Sequence, residues 1–97
     1  MAKFEIKDGI AIIPKGTTEI EKGAFKDCTS LEGITIPEGV VEIGYGAFFR
    51  CTSLKSVKIP ESVTEIGEYA FSECASLESI TIPESVKVIG YGAFFCC

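Results

Sequence analysis

One period governs this chain. Pro14, Pro37, Pro60 and Pro83 stand 23 residues apart, and so do Phe25, Phe48, Phe71 and Phe94, and Cys28, Cys51, Cys74 and Cys97. A unit this short cannot bury its own apolar face. It does so only by stacking on copies of itself, so a repeat in the twenties with apolar residues at fixed phases predicts a solenoid. The expected fold class is therefore a repeat solenoid, mainly β, in one domain.

Each unit reads the same way. Leu31-x-x-Ile34-x-Ile36-Pro37 recurs as Leu54-x-x-Val57-x-Ile59-Pro60 and as Leu77-x-x-Ile80-x-Ile82-Pro83. The Ile-x-Ile alternation is a short strand with one buried face. Proline ends it, having no N–H to give to a sheet ladder. Val40-x-x-Ile43, Val63-x-x-Ile66 and Val86-x-x-Ile89 form a second extended piece, broken by Gly44, Gly67 and Gly90. The run from Gly67 to Cys74 is too short for an independent helix and is expected to form one helical or 3₁₀ turn, with Ala70 and Phe71 turned inward.

The start of the chain differs. Lys3-Phe4-Glu5-Ile6-Lys7 alternates, then come Asp8-Gly9 and Ile10-Ala11-Ile12-Ile13. Asp-Gly between such runs is the signal of a two-residue hairpin loop, because both positions need positive φ. That loop pairs Ile6 with Ala11 and Phe4 with Ile13. Since Ala11 and Ile13 share the phase of Ile34 and Ile36, Phe4 and Ile6 are expected to face the core as well. Residues 1–13 thus read as a hairpin cap over the first edge, and residues 14–97 as about four repeats.

At this point the chain resembles a known family. The run IPESVTEIGEYAFSECASLESITIP is similar to the BspA-type leucine-rich repeat of bacterial and protist surface proteins, over about residues 11–97. The departures are Glu21 in the phase of Gly44, Gly67 and Gly90, Thr17 in the phase of the valines, and a last repeat that stops at Cys97 before its strand. The resemblance implies a short right-handed leucine-rich-repeat solenoid with stacked parallel strands. It also implies a role in adhesion or protein binding, and a cell-surface or secreted location if the chain is a piece of a natural member. The residues themselves show no signal peptide, since Met1-Ala2-Lys3 leads straight into a strand pattern. That fits a cytosolic protein or a trimmed one.

Net charge is −5, which argues against nucleic acid or an anionic membrane as partner. No apolar run approaches the ~18 residues of a membrane span. His, Trp, Asn and Gln are absent. Lack of His removes the commonest general base and metal ligand. Loss of four residue types also fits the alternative reading, a designed or consensus-derived scaffold with no natural ligand.

The Cys28–Cys51–Cys74–Cys97 phase makes an inward column that reads as buried free thiols acting as small hydrophobes. With rungs about 4.8 Å apart a disulfide along the column is geometrically conceivable. A zinc site is disfavoured, because a line of ligands does not converge. Cys96 stands in the polar phase of Asp27, Arg50 and Glu73, and is the thiol expected to oxidise or cross-link. Glu38, Glu61 and Glu84, and Glu19, Glu42 and Glu65, form acidic columns. They read as solvated edges, since calcium needs 6–8 oxygens around one point. Gly44-Tyr45-Gly46 and Gly90-Tyr91-Gly92 lack the rest of a phosphate loop. No catalytic, cofactor or metal residues are assigned, and the chain reads as a non-enzyme.

Two candidate surfaces remain. If Ile34 and Ile36 point inward, the strand face presents Glu32, Gly33, Thr35, Lys55, Ser56, Lys58, Glu78, Ser79 and Thr81. The candidate recognition strip is Glu32, Thr35, Lys55, Lys58, Glu78 and Thr81, facing a protein partner of unspecified identity. It holds no aromatic anchor of the kind that dominates binding hot spots. Tyr45, Phe49, Tyr91 and Phe95 lie on the turn side, as an exposed aromatic patch or as padding for the core. The second surface is the last repeat, where Ile80, Ile82, Val88, Phe94, Phe95, Cys96 and Cys97 form a candidate self-association end. An unpaired edge with apolar neighbours invites a twofold homodimer.

Overall fold

In the computed structural model, which describes residues 6–95 and 97, nine short strands follow one another in chain order. Strands β1 (Ile6–Lys7) and β2 (Ile10–Ala11) form an antiparallel hairpin with Ile6 opposite Ala11. Asp8 and Gly9 between them have φ of 53° and 80°, the two positive values that a tight hairpin loop of this kind requires. Ile6 packs against the core as expected; Phe4 lies outside the described residues.

Strand β2 is also the first rung of a parallel ladder. It pairs with β4 (Gly33–Thr35), β4 with β6 (Ser56–Lys58) and β6 with β8 (Ser79–Thr81). A second parallel sheet holds β3 (Glu19–Ile20), β5 (Glu42–Ile43), β7 (Glu65–Ile66) and β9 (Val88–Ile89). Every parallel register equals the sequence period, as in Ile34↔Val57↔Ile80 and Ile43↔Ile66↔Ile89. The chain is thus a mainly-β solenoid of about three turns.

The third side departs from expectation, for the described residues contain no helix. Between Glu21 and Cys28 the backbone makes consecutive reverse turns, with Ala24, Lys26 and Cys28 donating to the carbonyls three residues back at 3.0, 3.1 and 3.1 Å. The intervening amides point elsewhere. Gly23, Phe25 and Asp27 donate to Tyr45, Ala47 and Phe49 of the next rung at 3.0, 2.7 and 2.8 Å. The same alternation recurs in the following rungs. A helix would send every amide along its own axis. Here positive φ at Gly23 and Asp27, and at Gly46 and Arg50, turns alternate peptides outward, and inter-rung bonding wins over helical bonding.

The core runs along the solenoid axis. Ile20, Ile43 and Ile66, Val40 and Val63, and Leu31 and Leu54 are fully buried, each contributing about 1.5–3 kcal/mol relative to exposure. Phe25, Phe48, Phe71 and Phe94 stack in one column with centroids 5.3, 5.0 and 5.4 Å apart and planes within 5° of parallel. Such spacing is that of attractive offset aromatic pairs. Beside them Cys51 Sγ donates to Phe25 O at 3.0 Å, Cys74 Sγ to Phe48 O at 3.2 Å and Cys97 Sγ to Phe71 O at 3.0 Å. Cys28, Cys51 and Cys74 are free thiols. Cys51, Cys74 and Cys97 therefore each tie their rung to the one before.

Candidate functional site

The strand-face strip is in register and exposed. Thr35, Lys58 and Thr81 are direct neighbours on successive strands. Lys55 N donates to Glu32 O at 2.9 Å and Glu78 N to Lys55 O at 3.0 Å, so Glu32, Lys55 and Glu78 stack as acid, base, acid. All six side chains are exposed. Gly33 is not part of this surface: it is buried, with Ile10 Cδ1 3.3 Å from where a Cβ would stand. The strip is small and mixed in charge.

The turn side carries more. Three columns of positions run across its rungs: Lys22, Tyr45, Glu68 and Tyr91; Gly23, Gly46, Tyr69 and Gly92; Lys26, Phe49, Ser72 and Phe95. Tyr45, Tyr91 and Phe95 are 51%, 75% and 60% exposed, and Phe49 is half-buried. The aromatic residues therefore form a surface patch and not inner padding. Tyr69 was invisible to phase reasoning, because it stands one position after the tyrosines of the neighbouring repeats. It occupies the glycine column with φ of 57°, a left-handed conformation that costs a side-chain-bearing residue roughly 1–2 kcal/mol.

The columns interlock. Aromatic residues flank two of the glycines, Tyr45 and Phe49 beside Gly46 and Tyr91 and Phe95 beside Gly92, whereas Lys22 and Lys26 flank Gly23. Where the central position is Tyr69, the flanks are Glu68 and Ser72. A Cβ on Gly92 would stand 2.7 Å from Tyr69 Cε1, so glycine there admits the Tyr69 ring. The ring meets Tyr45 and Tyr91 edge-on at 5.9 and 5.8 Å, joining the rungs into one tyrosine stripe. Its phenol is held above the ordinary range, first by desolvation and then by Tyr91, Tyr45 and Glu68. Ser72 is buried, and its Oγ lacks a hydrogen-bond partner among the described residues.

Beside the stripe is a groove of about 390 Å³ walled by Tyr45, Phe49 and Tyr69, floored by Gly46 and rimmed by Lys22 and Lys26. Lys22 Nζ stands 5.9 Å from the Tyr45 ring centroid. On its flank Arg50 lies 5.0 Å from the Phe49 ring and is paired with Glu73 at 3.5 Å.

At the far end the last rung is bare. Ile89 is 51% exposed, whereas Ile20, Ile43 and Ile66 in the same phase are at 0%. Val88 and Phe95 are 52% and 60% exposed. Ile80, Ile82 and Phe94 are half-buried and Cys97 is exposed. Cys96 lies outside the described residues.

The buried thiols carry no nucleophilic chemistry. Burial pushes the Cys51 thiol up to about 12, with Cys74 and Cys28 adding to the shift, and pushes Cys74 to about 12, with Cys97 adding to it. Both stay protonated near neutral pH, and a protonated thiol is a poor nucleophile and metal ligand. Among the described residues no group of three or more His, Cys, Asp and Glu side chains could hold a metal ion, and no helix is long and apolar enough to cross a membrane.

Known proteins share this architecture. A model of the BspA-type leucine-rich repeat region, six copies long, matches residues 7–97. The chain superposes on a leucine-rich cell surface protein of Faecalibacterium prausnitzii with TM-score 0.88 and 40% identity, covering 93% of this chain and 24% of that one. A leucine-rich repeat protein of T. pallidum gives TM-score 0.79 and 31% identity over 92% of this chain and 50% of its own length. One from Bacteroides ovatus gives 0.76 and 31% over 92% and 28%. The chain thus spans between a quarter and a half of these solved relatives. No functionally curated protein matches it.

Proposed function

The chain belongs to the BspA-type leucine-rich repeat family, and from that premise we propose that it is a non-enzymatic protein-binding module of the adhesive, cell-surface kind. The observation that carries this reading is where the repeats differ. Core phases hold nearly the same residue in every rung, whereas the turn-side columns read Lys, Tyr, Glu, Tyr and Lys, Phe, Ser, Phe. A rigid ladder with a variable, aromatic-rich face is a display scaffold, since exposed aromatic side chains are the usual anchors of protein contacts. The net charge of −5 supports a protein partner over nucleic acid. In this reading the hairpin of residues 1–13 caps the stack, with about four repeats over residues 14–97, because β1 occupies the edge that β2 would otherwise leave open.

The test is solid-phase binding of the chain to a panel of immobilised extracellular proteins. The wild type is compared with a Tyr45→Ala/Tyr91→Ala/Phe95→Ala variant and a Lys55→Ala/Lys58→Ala variant. Saturable binding weakened by either set supports the reading and says which face carries it. No saturable binding to any member would reject it.

A second reading rests on Ile89, buried in phase everywhere except the last rung. Through this end the chain forms a twofold homodimer. Light scattering coupled to size exclusion, with and without reductant, distinguishes the outcomes. A dimer that survives reductant supports pairing through the bare rung. One that vanishes assigns it to thiol cross-linking, and a monodisperse monomer rejects it.

A further inference from the structure

We propose that the turn-side groove binds an extended, proline-rich segment of a partner protein, lying along the solenoid axis with an acidic residue at the Lys22/Lys26 end. This rests on the protein-binding reading above and names the partner's chemistry.

Three observations lead there. The first is repeat distance. Tyr45 and Tyr91 stand two rungs apart, about 9.6 Å at the usual strand spacing. A polyproline II segment presents the same face every three residues, about 9.3 Å. A segment laid along the stripe therefore presents its repeating face in step with Tyr45 and Tyr91, on either side of the Tyr69 ring. Tyr45, Phe49 and Tyr69 wall the groove, and aromatic-lined grooves are how extended proline-rich segments are generally held.

The second is charge. The groove's charged rim consists of Lys22 and Lys26, on a chain whose net charge is −5. Arg50, the neighbouring cation, is already engaged by Glu73 at 3.5 Å. Two lysines held beside aromatic walls favour a carboxylate there. They also disfavour a neutral oligosaccharide, whose many hydroxyls need acceptors as well as donors. Both lysines lie on the first rung, which places the acidic residue at one end of the segment.

The third is strain. Tyr69 adopts φ of 57° in a column that is otherwise Gly23, Gly46 and Gly92. Glycine would adopt this conformation without strain. A side chain kept in a disfavoured conformation points to a use beyond folding, and here it places the ring that closes the groove opposite Tyr45.

The chain supplies its own reporter, for Tyr45, Tyr69 and Tyr91 are its three tyrosines and it has no tryptophan. Tyrosine emission and backbone amide shifts are followed while the 97-residue chain is titrated with three probes. One is a synthetic peptide of two glutamates leading into repeated Pro-x-x-Pro. The second is the same peptide with lysines for glutamates, and the third a neutral β-glucan hexasaccharide. The expected result is saturable binding of the acidic peptide with shifts centred on Tyr45, Gly46, Phe49 and Tyr69. The lysine peptide binds at least roughly tenfold more weakly. Tyr69→Gly, which relieves the strain and keeps the fold, and Lys22→Glu/Lys26→Glu each weaken the acidic peptide by roughly 5- to 20-fold, as for a hot-spot contact. Equal binding of the two peptides, or no effect of either variant, overturns the proposal. Peptide shifts confined to Lys55 and Lys58 overturn it while leaving the protein-binding reading standing. Saturable hexasaccharide binding in the groove, with no peptide binding at any face, overturns both.

Discussion

Replacing Gly67 by alanine adds a methyl group pointed at backbone. An ideal Cβ there lies 2.8 Å from Gly44 C, 2.8 Å from Tyr45 N and 3.0 Å from Gly44 O, against 3.4 Å for ordinary contact. None of these atoms belongs to a side chain that can swing away, so the third rung must lift by about 0.6 Å to clear. The rung is held at this point by Gly67 N donating to Ile43 O at 2.7 Å, a bond the shift would stretch toward its outer limit. Overpacking of this kind costs about 1–3 kcal/mol, and a weakened buried hydrogen bond adds about 0.5–1.5 kcal/mol. Gly67 is not among the positive-φ positions, so the methyl also restricts the unfolded chain and returns about 0.4–1 kcal/mol. The net loss is about 0.5–4 kcal/mol, with the midpoints of the terms giving about 2 kcal/mol. For a domain of this size that lowers Tm by roughly 10–20 °C.

The control lies in the same phase. Glu21 takes the glycine position in the first rung, where no earlier rung lies beneath it, and its side chain is exposed. Glu21→Ala is expected to stay within about 0.5 kcal/mol of wild type. Urea titrations followed by far-UV circular dichroism measure both. If Gly67→Ala costs less than Glu21→Ala or equals it, the claim that this column is glycine because the rungs touch there is wrong.

The aromatic column gives a graded expectation: Phe48→Ala, between two stacked neighbours and at 0% exposure, costs about 3–5 kcal/mol, whereas Phe94→Ala, half-buried on the last rung, costs clearly less in the same urea assay. Ile89→Lys leaves stability nearly unchanged and abolishes any reductant-resistant dimer in light scattering, whereas Ile66→Lys, at 0% exposure, prevents folding. Cys51 and Cys74 have folded-state thiol pKa values of about 12, above their ordinary value of 9.0, so between these limits the unfolded chain ionises and the folded one does not. The stability they contribute is therefore complete below pH 9 and is lost as pH rises toward 12, with a slope of up to about 1.4 kcal/mol per pH unit per thiol. Thermal melts of wild type and of Cys51→Ala/Cys74→Ala across this range measure it, and an equally steep alkaline limb in the variant would refute the assignment.

What the sequence made legible is what the period averages. Stacking forces Ile34, Val57 and Ile80 into one register, so a single phase reading placed the strands and the core, and the Asp8-Gly9 loop placed the hairpin pairing of Ile6 with Ala11. It also singled out Glu21 and Thr17 as departures, whose reason is now physical: both belong to the first rung, where no earlier backbone forbids a side chain and no full burial is required. The turn segment misled, because apolar spacing alone does not distinguish a helical turn from successive reverse turns. The distinction lies in left-handed residues such as Asp27 and Arg50, which are not glycine and so give no local signal. The site was half legible for a related reason. Tyr45, Phe49, Tyr91 and Phe95 stand in repeat phase, but the groove needs Tyr69, which is one position out. A reading that aligns repeats treats such a residue as noise. In a scaffold whose shared residues are spent on stacking, the residues free to recognise something are those that differ between rungs. Tyr69 shares a left-handed backbone with Asp27, Arg50 and Glu73, and of these four it is the one that lines the groove. Departures from the period, ranked by what they cost the fold, are therefore the better guide to function in this chain.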